Sequence, residues 1–533
     1  MKLNYRRTIY VGFAFFLICA FWQAYDNIIA LTLTNKFGMP QAYSGIIMAF
    51  DNILALFMLP IFGALSDKCR SKMGKRTPFV LVGTILAAVS FIGLSFVDNM
   101  QLTNISDVAK IDSTASLETL YEYDYGNTQL KTTDGRVFAV TDFDKETFLS
   151  IRTDTEWDTN GNDVTNNTSY DGARISPYSE YVSPARQAYA WKATMKNPTT
   201  LLFFIGLLLI VLLSMSIFRS PAVALMPDVT PKPLRSKGNA VINLMGSAGG
   251  VIVLVLGMVL GTGNAKNGLM SYVIFFSIIA ALMIASLLVF LLTVKENRFV
   301  QEMEEESRRY GIEESEDNST AGSRALSRSE VMSLLLILAS VALWYMGYNA
   351  VTSKFSVYAS NVLQKDFNMT MIIAQAAAIV SYLPVGMISS KFGRKKCILA
   401  GVLILGVAFG CAYFVGAGTP AMLMNILFAL AGIGWATINV NSFPMVVELA
   451  KGGNVGKYTG YYYTASMAAQ VLTPFLSGLL MDGKLISNVG MTSLFPYATI
   501  CVAGSFVTML FVKHGDSVAT PKSSVLENFD IED

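Results

Sequence analysis

The chain has 533 residues, 53% of them hydrophobic and only 15% charged, and its 40 Lys and Arg nearly balance 38 Asp and Glu for a formal net charge of +2. With a mean hydropathy of +0.47, it carries too little charge to cover the surface of a soluble protein of this length, so composition excludes that class. The even charge balance gives no basis for a nucleic-acid partner.

Apolar runs long enough to cross ~30 Å of hydrocarbon recur from one end to the other. In chain order the expected spans are 8–32, 43–65, 77–97, 199–226, 239–261 and 269–294, then 331–358, 369–390, 397–416, 420–449, 458–481 and 492–512. The first lacks a small-residue cleavage site and carries Asp26, so it is read as a retained helix rather than a signal peptide. The expected organisation is helices 1–3 of an N-terminal bundle over 1–97, an extracytoplasmic insertion over 98–192 and helices 4–6 over 193–294. A cytoplasmic linker over 295–330, a C-terminal six-helix bundle over 331–512 and a cytoplasmic tail over 513–533 complete it.

The two sets of six read as copies of one unit. SKMGKR at 71–76 returns as SKFGRK at 390–395, with Lys and Arg exchanged at the last two positions. Upstream stand FWQAYDN (21–27) and Leu59-Pro60 in the first set, LWYMGYN (343–349) and Leu383-Pro384 in the second. Three landmarks in one order at near-equal spacing indicate an internal duplication.

Short loops set the orientation. Loop 66–76 carries Lys68, Arg70, Lys72, Lys75 and Arg76; loop 391–396 carries Lys391, Arg394, Lys395 and Lys396; loop 229–238 carries Lys232, Arg235 and Lys237. Alternate loops carry one basic residue or none, so both termini and the repeated phrases are expected on the cytoplasmic side of a cell membrane. The 98–192 insertion has 16 acids and 8 basic residues, hence net −8. Its turn signals, Asp134-Gly135 and Asn160-Gly161, flank short runs such as RVFAV (136–140), which fits either a small β-containing cap or a partly disordered loop. Residues 295–330, with EMEEESRRY and IEESEDNSTAGSR, read as a flexible charged linker.

The five cysteines are scattered and none lies in the insertion, so no disulfide framework is implied. The only histidine is His514. No HExxH, phosphate-cradling glycine loop or Ser-His-Asp set stands in the sequence, and neither catalytic residues, a metal site nor a cofactor are expected.

The stretch GALSDKCRSKMGKRTPF (63–79), together with SPAVALMPDV (220–229) and RSKGNAVINL (235–244), resembles the major facilitator superfamily. More narrowly it resembles the glycoside–pentoside–hexuronide cation symporters and their sucrose-symporter branch. The resemblance implies an all-α membrane protein of twelve transmembrane helices in two six-helix repeats, with the insertion placed between helices 3 and 4. It also implies a coupling ion, H⁺ or Na⁺, and a small-molecule substrate, expected to be a sugar, moved by a monomer in the lipid bilayer.

In the loop, Gly63 lets two helices approach, and Asp67 is suited to cap the next helix or pair with a cation. With Gly74, Lys75, Arg76 and Arg394 it reads as a cytoplasmic gate, with Asp228 a candidate partner at the inner end of the fourth span; such pairs form in one state and break in the other. The competing reading is that the bases only enforce topology. The resemblance fails at one informative place. The acid and arginine that sucrose symporters carry in the fourth helix fall on Leu212 and Val223. The paired acids of melibiose-type carriers fall on Ala55 and Leu59.

Ionisable groups inside spans are costly and therefore functional suspects. Asp26 and Asp51 each lie roughly 10–12 Å below an outer helix end at 1.5 Å per residue, and are assigned to cation coupling; a structural salt bridge is the alternative. Substrate contacts are assigned to Trp22, Gln23, Tyr25, Asn27, Asn52, Tyr348, Asn349, Lys354, Trp435, Asn439, Tyr462 and Gln470. Aromatic faces beside amides suit sugars, although the same residue types also pack helices together and line membrane interfaces. The sequence therefore reads as a cation-coupled importer of a glycoside or small oligosaccharide working by alternating access. An exporter of another small molecule on the same fold, and a non-transporting sensor with 98–192 as its ligand domain, stay open.

Overall fold

The structure, a computed structural model, describes residues 3–167, 169–231, 234–310, 327–447, 449, 455–483, 486 and 489–515. Eleven of its helices are long and apolar enough to cross a membrane: Tyr5–Lys36, Gln41–Lys68, Thr77–Asn104, Thr199–Asp228, Val241–Leu260, Val273–Thr293, Arg328–Leu363, Arg394–Ala412, Ala421–Val446, Tyr461–Met481 and Met491–Leu510. Phe367–Phe392 joins them as the eighth in chain order; its shorter apolar stretch is Phe367–Tyr382. They are numbered span 1 to span 12 below.

Two ends differ from expectation for one reason. Span 1 runs to Lys36 rather than stopping at 32, and span 3 continues through Asp98 to Asn104. The Lys36 ammonium lies 2.7 Å from both Asp98 carboxylate oxygens, donates to the Met270 carbonyl at 2.6 Å and sits 3.7 Å from the Tyr272 ring centroid. Both side chains of the pair are fully buried. Neutralised and hydrogen-bonded in this way, each charge is tolerated inside a helix, where the sequence alone marks a helix end.

Within the first six spans, 1 packs on 5, and 4 packs on both 2 and 3; in the second six, 10 packs on 8 and 9, and 7 packs on 11 and 12. The halves meet where span 2 lies on span 11 and span 5 on span 8. Glycine makes the first of these contacts possible. A Cβ on Gly45 would run into the Pro474 carbonyl, and one on Gly478 into the Gln41 carbonyl, so backbone meets backbone there.

Between spans 3 and 4 the chain folds into a cap. Leu117, Leu120, Phe148, Ile151, Trp157 and Val182 form its own buried core. Short helices and irregular loops make up most of it, with one short hairpin, Leu130–Lys131 against Val137–Phe138, turned by Gly135 at φ +91°. The β signal in RVFAV is thus realised over two residues only. The cap reaches both halves. On its helix Ser183–Lys196, Thr194 donates to the Phe37 carbonyl just past span 1 at 3.0 Å. From the hairpin turn, the Thr133 carbonyl accepts from the Thr492 amide of span 12 at 3.1 Å, and Lys131 donates to the Asp482 carbonyl at 3.4 Å.

The segment expected as a flexible linker begins with a helix, Glu296–Arg309. Phe299 and Met303, four residues apart, pack one side of it inward, and Arg7 of span 1 lies 3.5 Å from Glu302 and 3.6 Å from Glu306. The charged composition hides this narrow apolar stripe. Residues 311–326 of the linker and 516–533 of the tail lie outside the described residues.

Candidate functional site

A cavity of ≈ 190 Å³ opens between the halves, lined by residues of spans 1, 2, 4, 7 and 11. Trp22 and Asp26 come from span 1, Asp51 and Asn52 from span 2, Arg219 from span 4, Asn349, Thr352 and Ser353 from span 7, and Gln470 from span 11. Local irregularities place the two acids. Asp26 stands in a π-helical turn, Tyr25–Ile29, a widened turn that often marks functional positions. Span 2 is interrupted at Ala49, and Asp51 occupies the first turn of the segment Phe50–Lys68, where the helix dipole favours a carboxylate. Asn52 donates to Asp51 at 2.8 Å.

Arg219 supplies the opposing charge. Its guanidinium carbon lies 5.3 Å from the Trp22 ring centroid, within cation–π range. Arg219 is another ionisable group inside a span and so a suspect from the sequence, where it reads as an inner-end residue of span 4 not grouped with the acids. What brings it to them is the crossing of span 4 over spans 1 and 2. It stands one helical turn before Val223, and Asp51 stands one turn before Ala55, so each keeps the helix face on which the resembled carriers place a charge. Because span 2 runs away from the cap and span 4 starts from it, both shifts are one turn toward the cap side.

Two donors on the cavity wall, Trp22 Nε1 and Asn349 Nδ2, are buried without a hydrogen-bond partner. Native proteins rarely leave such groups unsatisfied, so these are positions where ligand oxygen atoms would be accepted. The cavity therefore offers two carboxylates, one guanidinium, one indole face and several amides and hydroxyls.

Of the residues assigned from sequence, Trp22, Asp26, Asp51, Asn52, Asn349 and Gln470 come together here. The others lie elsewhere. Tyr25 is fully buried and stacks on Phe21 with centroids 6.0 Å apart. Asn27 is buried and turns back to donate to the Gln23 carbonyl at 2.8 Å, while the Gln23 side chain faces Gly250 of span 5. Tyr348 stacks on Trp435 at 5.6 Å, and Tyr382, beside both, bonds Asn439. Tyr462 is 2.9 Å from the Ser442 hydroxyl. These last groups form an aromatic layer inside the second half. Lys354 is fully buried at the seam below the cap, donating to the Gln41 carbonyl at 3.0 Å and to Ser44 at 2.8 Å. Those contacts make it part of the junction between span 7 and span 2.

At the opposite end of the bundle Asp67, Arg76 and Asp228, which the sequence assigns to a cytoplasmic gate, form one network. Arg76 is buried, 2.8 Å from Asp228 and 2.5 Å from both Asp67 and Ser66. Gly74 has φ +115°, and a Cβ there would strike Glu296. Glu296 also belongs to the network, although the charged composition around it marks that stretch as linker in the sequence. Its carboxylate accepts from the amides of Lys75, Arg76 and Thr77 at 2.7–3.1 Å and from the Thr77 hydroxyl at 2.7 Å. A carboxylate at the first turn of span 3 satisfies orphan helix donors. Gly63 packs against Ser220 of span 4, whereas Arg394 in the second copy donates to the Pro444 carbonyl at 3.4 Å.

Comparison with known proteins gives matches to two family models, "Major Facilitator Superfamily" over residues 188–474 and 365–525, and "MFS/sugar transport protein" over residues 11–111. A sucrose transport protein of rice (Oryza sativa subsp. indica) is 37% identical over 59 residues, 11% of this chain and 12% of that protein. The human proton-associated sugar transporter A is 30% identical over 96 residues, 18% and 12% of the two chains. A bacillibactin exporter of Bacillus subtilis (strain 168) is 31% identical over 121 residues, 22% and 30% of the two. The match thus spans about an eighth of the sucrose transport protein's length. A crystal structure of a D-xylose-proton symporter superposes with TM-score 0.56 at 13% identity, covering 96% of this chain and 99% of that one. A peptide transporter superposes with TM-score 0.57 at 11% identity, covering 95% and 93%. Identities this low carry the fold alone.

Proposed function

The chain belongs to the Major Facilitator Superfamily, and from that premise we propose that it is a secondary transporter that moves a glycoside or small oligosaccharide together with H⁺ or Na⁺. The observation that carries this reading is the cavity between the halves. Asp26, Asp51 and Arg219 share it with the Trp22 indole and two unpartnered donors. An indole face and amides recognise a sugar ring and its hydroxyls. Two carboxylates beside a guanidinium hold a net charge that a single bound cation balances. The names of the sucrose and proton-associated sugar transporters point the same way.

In this reading the substrate and cation enter together, and the halves rock about the seams between spans 2 and 11 and spans 5 and 8. The Arg76 network at the far end is expected as a gate that forms in one state and breaks in the other. Among the described residues it joins only elements of the first half and the helix after span 6, and in this reading it holds that half together during the motion. Both termini face the cytoplasm of the cell, the cap lies outside, and the working unit is a monomer that needs no cofactor beyond the coupling ion. The B. subtilis relative keeps export of a small molecule as the second direction of transport on the same machinery.

The test is uptake of radiolabelled glycosides, sucrose among them, into proteoliposomes under imposed H⁺ or Na⁺ gradients. Accumulation above equilibrium with one of the two ions supports the proposal. Saturable binding with no counterflow under any gradient overturns it in favour of a sensor.

A further inference from the structure

A second cavity, of ≈ 270 Å³, lies at the base of the cap; it shares span 7 with the central site but none of its lining residues. Its walls come from three parts of the molecule. The cap contributes residues 153–156 and 174–176, the first half contributes 264–266 from the loop between spans 5 and 6, and the second half contributes 363–364 and 417–418. The two cap segments are tied together where the Trp157 and Ile175 amides each donate to the other's carbonyl at 2.8 Å.

Gln364 singles this cavity out. It ends span 7 in the left-handed region at φ +54°, one of two non-glycine residues with positive φ among those described. A glutamine held there costs conformational energy, and such outliers gather at ligand sites. Its Nε2 is buried with no hydrogen-bond partner, a donor that the protein leaves unused beside the cavity wall.

The charges around it are already paired. Arg174 contacts Glu156, and Lys266 lies 3.3 Å from Asp154. The lining therefore carries no net charge from these four residues, and the capacity left over is amide, hydroxyl and carbonyl. That chemistry takes a neutral, hydroxyl-rich molecule rather than an ion. The volume sits near the lower end of small-molecule pockets, ~300 Å³, which fits one or two sugar rings.

We propose that the cavity between the cap and both halves is a second binding site for a small neutral polyhydroxylated ligand, with Gln364 as its key donor. Because its walls belong to both halves and to the cap, it has this shape only while the halves are together on the cap side. A ligand there favours that state by its differential affinity and acts as a regulator of the transport cycle. The inference stands whether or not the central cavity carries a sugar, since the two sites share no residue.

Hydrogen exchange on the full-length protein in nanodiscs, with sucrose and with glucose as probes at tens of millimolar, tests it. At least one probe is expected to slow exchange at least threefold in peptides covering 153–156 and 363–366, and Gln364→Leu to abolish that protection. Lys266→Met, which leaves the backbone of span 7 untouched but unpairs Asp154 and so ends the neutrality of the wall, is expected to weaken it. Peptides covering 349–353 and 470–474 report the central cavity separately. Absence of protection at 153–156 in the unaltered protein with both probes, or its full retention in both variants, overturns the proposal.

Discussion

The Asp482 carboxylate closes the N-terminus of the helix that begins at Gln41: Oδ1 accepts the Gln41 amide at 2.8 Å and Oδ2 the Ala42 amide at 2.9 Å. The acid stands at the end of span 11 and the helix is the start of span 2, so a helix cap of one half is supplied by the other. Loss of a capping side chain costs about 0.5–2 kcal/mol. Here that loss falls only on the conformation in which the halves touch below the cap. Asp482→Ala is therefore expected to shift the population toward the cap-side-open state by roughly 2- to 30-fold. Spin-label distances between spans 2 and 11 would read the shift; an unchanged distance distribution would contradict it.

The cap hairpin crosses the same seam. Thr492 of the second half donates its amide to Thr133 of the cap, which is covalently part of the first half. A Thr133→Cys and Thr492→Cys pair, oxidised to a disulfide, is expected to stop uptake and to release it on reduction. Uptake at the normal rate with the bond formed would mean that the cap rides with the second half throughout the cycle.

Glu296 holds three backbone amides and a hydroxyl at the first turn of span 3. Glu296→Gln keeps the size but turns an amide donor toward those donors, leaving buried groups unsatisfied at about 1–3 kcal/mol. The expected outcome is a lower melting temperature and slower transport at unaltered substrate affinity. Wild-type values for both would reduce the residue to a loop contact.

Glu180 in the cap accepts from the Thr133 amide at 3.0 Å and contacts its hydroxyl. Burial raises its pKa above the ordinary 4.5, with Asp134 adding to the rise and the Thr133 bonds and Arg136 opposing it. The folded cap therefore binds a proton more tightly than the unfolded chain, and its stability falls as pH rises through that window. Glu180→Gln is expected to flatten the pH dependence and to raise the cap's protection from hydrogen exchange near neutral pH. A variant with the same pH profile as the unaltered chain would contradict this.

Much of this was legible in the residues. Long apolar runs fix the twelve spans, and the repeated SK-x-G phrase with its Trp and Leu-Pro flanks shows the duplication. Asp26 and Asp51 stand out because a charge inside hydrocarbon needs a reason. What stayed hidden depends on how helices cross. Arg219 reads as an inner-end residue until span 4 is laid over spans 1 and 2. Tyr348 and Trp435 have the composition of a sugar site yet pack on each other inside one half. Lys36 and Asp98 read as helix ends because nothing local tells that each is the other's partner, 62 residues apart. Glu296 and the apolar stripe of Phe299 and Met303 were masked by the acidic composition around them.

Asp26 and Asp51 are proposed to couple a cation to substrate movement, and one comparison addresses that role directly. Purified protein carrying Asp51→Asn, and separately Asp26→Asn, is reconstituted and assayed both for gradient-driven accumulation and for exchange of labelled against unlabelled substrate. Exchange requires no net release of the cation, so Asp51→Asn is expected to retain exchange and to lose accumulation. Normal accumulation in both variants would place the coupling site elsewhere and contradict the account.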